Sequence, residues 1–233
     1  MDPRKLFADD RLTGQCVFCG AAPDTDDHCP SRVFLEEPFP DNLAVVDSCK
    51  SCNESFSKDE QYFACLIECV ICGSVELDKI RRPKIKRILT ENPKLSARLL
   101  AGRKIDNAQN IIWQPEMERV KNVILKLARG HIAFELSLPH VDEPKHLTFA
   151  PICAMSDEQR TAFENPSADD GLASYPEIGS RAFMRTVVVG QTAYQDTGWI
   201  IVQPNNYRYL VDQSNGDFVQ IVIGEYLACR IGW

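Results

Sequence analysis

Cys16-Val17-Phe18-Cys19 and Cys49-Lys50-Ser51-Cys52-Asn53 bracket the run Asp26-Asp27-His28-Cys29-Pro30-Ser31-Arg32, and the reading of the chain turns on this stretch. Each CxxC pair presents two thiolates, and the two pairs, with 29 residues between them, supply the four ligands of one tetrahedral zinc ion. Four thiolates leave no open coordination position, so Cys16, Cys19, Cys49 and Cys52 are expected to hold a structural Zn²⁺ that folds the module and leaves chemistry to its neighbours. The bland alternative is four buried free cysteines.

Composition bounds what surrounds this module. The 233 residues, 44% of them apolar, suffice for a packed core. No apolar run reaches the roughly 18 residues of a membrane span, and Asp9, Asp10, Asp24, Asp26 and Asp27 interrupt the first 30 positions where a secretion signal needs an apolar stretch. The expectation is a cytoplasmic protein without a membrane partner, its ten cysteines reduced. A net charge of −7 argues at first against a polyanionic partner, but the charge is segregated. Residues 1–75 carry 6 Lys/Arg against 14 Asp/Glu, residues 76–130 carry 14 against 6, and residues 131–233 carry 6 against 13. The middle stretch, with Arg81, Arg82, Lys84, Lys86 and Arg87 at its head, reads either as a solvated helix face or as a grip on nucleic-acid phosphates.

Local patterns divide the chain into three expected parts: residues 1–75, 76–114 and 115–233. Between Cys16 and Asn53 the chain is rich in Pro, Asp and Gly, and Asn42-Leu43-Ala44-Val45-Val46 suits a short strand. Ser57-Lys58-Asp59-Glu60 has the form of a capping box, which predicts a helix over about 58–72 that stops at Gly73. Asn92-Pro93 reads as an N-cap and first helical residue with Gly102 as the stop, giving two short basic helices. Pro115 opens a further helix in which Val120, Val123, Ile124, Leu127 and Ala128 recur at helical spacing, with Gly130 as its end. Residues 154–180 read as a loop. The segments 186–189, 199–202, 207–211 and 218–223 read as strands of an antiparallel sheet packed on the 116–129 helix, with Asn215-Gly216 as a hairpin turn. The expected class is α+β.

Over residues 14–63 the run CVFCG…DHCPSRVFL…DNLAVVDSCKSCNESFSKDEQYF resembles the HNH endonucleases of the His-Me finger (ββα-metal) class, in the subgroup clasped by a four-cysteine zinc site. The Asp-His pair, an Asn 14 residues on and a CxxCN fall in the family's order. The resemblance implies His28 as the general base, Asp27 and Asn53 as ligands of a catalytic Mg²⁺ or Mn²⁺, and Asn42 as the residue that orients the histidine. A one-residue slip would give the metal to Asp26 instead.

Elementary chemistry agrees. Phosphodiester hydrolysis needs a base that is unprotonated near neutral pH and a cation on the scissile phosphate, and an imidazole meets the first need. One carboxylate and one amide oxygen, completed by water, suit Mg²⁺ or Mn²⁺ for the second. Arg32 either contacts phosphate or pairs with Glu36 or Glu37. Cys29 is expected to pack inward, and Cys65, Cys69 and Cys72 to be buried thiols on one helix face. His131, His140 and His146 lack partners at ligand spacing and read as structural.

The leading expectation is thus a metal-dependent endonuclease acting on nucleic acid, with DNA the expected polymer. A second copy of the chain would serve double-strand cleavage, and a partner protein is the other expected contact. Two alternatives stand beside it: a non-catalytic zinc-ribbon module that binds nucleic acid or protein, and a toxin or defence nuclease gated by a partner.

Overall fold

The computed structural model describes residues 14–165, 180–183, 198–213 and 216–233. Its chain groups into two compact units, one formed by Met1–Glu54 with Leu125–Trp233 and the other by Ser55–Ile124. Helices and antiparallel sheets alternate along the sequence, in keeping with the expected mixture of helix and sheet.

The first unit opens with a loop carrying Cys16 and Cys19, followed by strand β1 (Thr25–Cys29), antiparallel to β2 (Ala44–Ser48). Register places Thr25, Asp27 and Cys29 opposite Ser48, Val46 and Ala44 on one face of this hairpin, and Asp26 and His28 opposite Asp47 and Val45 on the other. The long connection between the strands makes a 3-10 turn at Arg32–Phe34, and Phe34 and Leu35 are fully buried. Polar groups from the far end of the chain fix this connection. Gln203 exchanges two hydrogen bonds of 2.9 Å with the Glu36 backbone, and the Asn206 amide donates to the Phe34 carbonyl at 2.9 Å.

Helix α1 runs over Lys50–Cys72 and so begins well before Ser57. The reason lies in the cysteine pair. The Cys49 sulfur accepts the Cys52 N–H at 3.4 Å, as an N-cap side chain would, and Asp24 accepts the Lys50 N–H at 2.5 Å. These caps outrank the Ser57 signal, while Gly73, at φ +66°, ends the helix where expected.

Within the Ser55–Ile124 unit, α2 (Pro83–Glu91) buries Ile85 and Leu89, and α3 (Pro93–Gly102) buries Leu95 and Leu99. Asn92 caps α3 as the sequence implies, accepting the Leu95 N–H at 3.1 Å. A short hairpin of β3 (Arg103–Ile105) and β4 (Ile111–Trp113) follows. Buried Glu68 of α1 accepts the backbone N–H groups of Arg81 and Arg82 at 2.9 and 3.2 Å and holds the segment that leads into α2.

Helix α4 spans Met117–Leu136, so Gly130 lies inside it. Gly130 was expected to stop the helix. Its role is instead close approach: a Cβ there would lie 2.6 Å from the Cys29 sulfur, so only glycine lets β1 pack against α4. The expected stripe Val120, Val123, Ile124, Leu127 and Ala128 is buried throughout.

The C-terminal sheet has five antiparallel strands in the order β5-β9-β8-β7-β6, namely β5 (His146–Pro151), β6 (Ile200–Gln203), β7 (Tyr207–Asp212), β8 (Phe218–Ile223) and β9 (Leu227–Gly232). Strands β5 and β9 add to those expected; the 186–189 segment and Asn215 lie outside the described residues. Between β5 and β6, α5 (Asp157–Glu164) occupies part of what reads as a loop, capped by Ser156 and Gln159. One sheet face meets α4 through a polar contact in an apolar layer. His131, fully buried, stacks on Tyr209 at 3.7 Å between ring centroids, its Nε2 lies 2.8 Å from the Tyr207 hydroxyl, and Tyr209 donates to Glu135.

Two outcomes follow. Gly130→Ala should destabilise the protein by about 1–3 kcal/mol in urea unfolding, although alanine is the better helix former, because the core must shift around Cys29. Burial, with the Lys126 charge second, holds the His131 imidazole far below its ordinary range. It therefore stays neutral when folded, and its ring-proton shift should stay flat in NMR between about pH 8 and pH 5, where a free imidazole titrates.

Candidate metal centre and histidine site

The four sulfurs of Cys16, Cys19, Cys49 and Cys52 lie within 4.8 Å of one another, with Cys19 and Cys49 3.8 Å apart. A tetrahedron built on zinc–sulfur bonds of about 2.3 Å spaces its corners by about 3.8 Å, so the donor set matches Zn²⁺ in both chemistry and spacing. The backbone prepares it. Cys16 N–H donates to Ala21 at 2.7 Å, Gly20 N–H returns to Cys16 at 2.8 Å, and Gly20 takes φ +76°, giving a tight knuckle. A bond of 3.0 Å from Val17 N–H to Asp47 O pins the knuckle to β2. Burial raises the Cys16 thiol, but N–H groups of Cys49, Phe18 and Cys19 outweigh it and bring the pKa down to about 7. Burial and the neighbouring sulfurs push Cys52 the other way. Among the described residues this is the one cluster of Cys, His, Asp or Glu with metal-holding geometry.

His28 sits mid-strand on β1, half-buried, and its ring has no hydrogen-bond partner among the described residues. Burial is the largest influence on it, followed by the charges of Arg32 and Lys126; together they lower its pKa against the opposing pull of Asp26. Asn53, in the first turn of α1, donates its amide to Thr25 Oγ1 at 2.8 Å and to the Asp26 carbonyl at 3.2 Å, tying the helix start to β1. Its Oδ1 carries no hydrogen bond among the described residues. Asn42 is exposed in the turn before β2 and makes no hydrogen bond to His28.

Asp27 points away from the His28 face. Its carboxylate is buried against Lys126 of α4, with 2.8 Å between Nζ and Oδ2, and the same ammonium donates to Ser31 Oγ at 2.6 Å. Lys126, only 3% exposed, also lies 5.9 Å from the Phe18 ring centre. Asp26 is exposed and shares the outer face with His28 and, across the hairpin, Asp47. Arg32 is exposed with its guanidinium 5.3 Å from the Phe39 ring centre. Cys29 packs inward, its thiol 3.5 Å from the Leu127 carbonyl. Burial holds Cys65 and Cys69 at about 12, so both are protonated thiols.

Lys126 is the residue that a reading of motifs passes over. The signal was present: it lies three residues after Val123 and four before Gly130, on the buried stripe of α4, where a lysine demands a partner. Gln203 and Asn206 carried no such mark, since they act through backbone carbonyls 167 and 172 residues away.

In the Ser55–Ile124 unit, Arg81 is engaged by Glu68 through a side-chain ion pair of 3.5 Å. Lys86 and Arg87 on α2 are exposed and have no ion pair among the described residues. No helix among the described residues is long and apolar enough to cross a membrane. No family model matches the chain, and no curated protein or solved structure matches it.

The zinc assignment predicts one equivalent of zinc per chain by elemental analysis. Cys49→Ala should lose it and lower the thermal midpoint more than Cys19→Ala does, because Cys49 also caps α1.

Proposed function

We propose that the chain is an endonuclease of HNH type that hydrolyses phosphodiester bonds in nucleic acid, DNA being the expected polymer, with His28 as general base. The observation that carries this reading is the histidine itself. An imidazole without a hydrogen-bond partner among the described residues, its pKa lowered by burial and neighbouring cations, stands on the first strand of a β-hairpin whose following helix is bolted back to that strand by Asn53.

In this reading an unprotonated ring nitrogen of His28 takes the proton of the attacking water. The β1–β2 register fixes the ring's height on the strand, and Asn53 ties the start of α1 to that strand at Thr25 and Asp26. A divalent cation, when bound, supplies charge neutralisation on the phosphate. Its carboxylate ligand is Asp27 by resemblance to the family. The strand register favours a second reading, Asp26, which shares the exposed face of His28. Phosphate grip is assigned to Lys86 and Arg87, whose charges are free to meet an anion, with Arg81, Arg82 and Lys84 contributing around them.

The test is nicking of supercoiled plasmid in Mg²⁺, Mn²⁺ or EDTA. Nicking should depend on the divalent ion and fall by about 10²–10⁴-fold in His28→Ala, with zinc content unchanged. A His28→Ala protein of full activity refutes the assignment. Tight binding of DNA without cutting in any metal would instead favour a zinc-ribbon binding module.

A further inference from the structure

The carboxylate that family resemblance gives to a catalytic cation already has a cation. Lys126 places its ammonium 2.8 Å from Asp27 Oδ2 and 2.6 Å from Ser31 Oγ, with Phe18 closing one side. Both charges are shut off from solvent, at 3% and 8% side-chain exposure. A divalent ion and an ammonium cannot share one carboxylate oxygen at contact distance without strong repulsion in so dry a place. As arranged, then, Asp27 does not fit a Mg²⁺ or Mn²⁺ ion.

We infer that Lys126 is a built-in competitor for the cation site, a latch on α4 that keeps divalent metal off Asp27 until the lysine is displaced. The inference rests on the proposed nuclease reading only for what the site would do once open; the competition itself is a property of Asp27 and Lys126. Two features set this pair apart from an ordinary structural salt bridge. It involves the residue next in sequence to His28, whose ring also feels the Lys126 charge although the two side chains leave opposite faces of β1. It also takes Ser31, from the loop that leaves β1, into the same bond set, so freeing Lys126 loosens both ends of Cys29-Pro30 together.

The consequence is a gain of binding on losing a charge, which a purely structural lysine would not give. Mn²⁺ binding to the full zinc-loaded chain is read by electron paramagnetic resonance and by calorimetry, with no substrate present. Wild type is expected to bind Mn²⁺ weakly, with an affinity that Asp27→Asn leaves unchanged. Lys126→Met, which keeps the length and packing of the stem, should bind one Mn²⁺ on the order of tenfold or more tightly, and Lys126→Met/Asp27→Asn should lose that gain. Lys126→Arg, retaining the charge, should bind as weakly as wild type.

Lys126→Met binding no better than wild type overturns the inference. So does a low-micromolar Mn²⁺ site in wild-type protein that Asp27→Asn abolishes. Because cleavage is not measured, failure here leaves the nuclease reading standing. Conversely, an inactive protein that shows the Mn²⁺ gain would retire the nuclease reading and keep the latch.

Discussion

The β1–β2 hairpin and the start of α1 depend on four sulfur atoms that lie within 4.8 Å of one another. A hairpin of two five-residue strands is too small to be stable in water by itself. Here one thiol pair precedes the hairpin and the other follows it, so closing the cluster removes the freedom of the whole 16–52 segment at once. The same closure sets the first turn of α1, because the Cys49 sulfur that faces the cluster also accepts a helix N–H. Asn53, one residue beyond the last ligand, is then delivered to Thr25 and Asp26 with almost no conformational search.

A clasp fixes two ends; the middle of the β1–β2 connection needs its own support. It comes from the C-terminal sheet, through Gln203 and Asn206, and from α4, through Gly130 against Cys29 and Lys126 against Asp27 and Ser31. The inner face of the hairpin is therefore spent on packing, and its outer face, with His28, Asp26 and Asp47, is the one left to solvent. Alternation along a strand forces this division: a residue that anchors and a residue that reacts cannot face the same way when they are neighbours.

The cysteine cluster, the helices after Pro83 and Pro93 and the apolar stripe of α4 were legible in the sequence because each has a short-range signature: paired spacing, a proline at the first helical position, a 3.6-residue period. What was not legible depended on partners distant in the chain. Gly130 looks like a stop signal until Cys29, 101 residues away, is seen to need its missing side chain. Ser57 and Glu60 form a plausible cap, yet an earlier start is stabilised by a thiol and by Asp24, which no local rule weighs. Asp27 and His28 read as one motif, although strand geometry sends them to opposite faces.

Charge then explains how an acidic hairpin can hold a neutral histidine. Asp26 alone would stabilise an imidazolium, as any carboxylate nearby does. Burial of the ring and two cations reverse the sign: Arg32 on the connection, and Lys126, which cancels Asp27 within the core while its own field reaches the ring. One lysine thus has opposite effects on two chemistries. It favours the base form of His28, and it fills the carboxylate that the family resemblance gives to a metal.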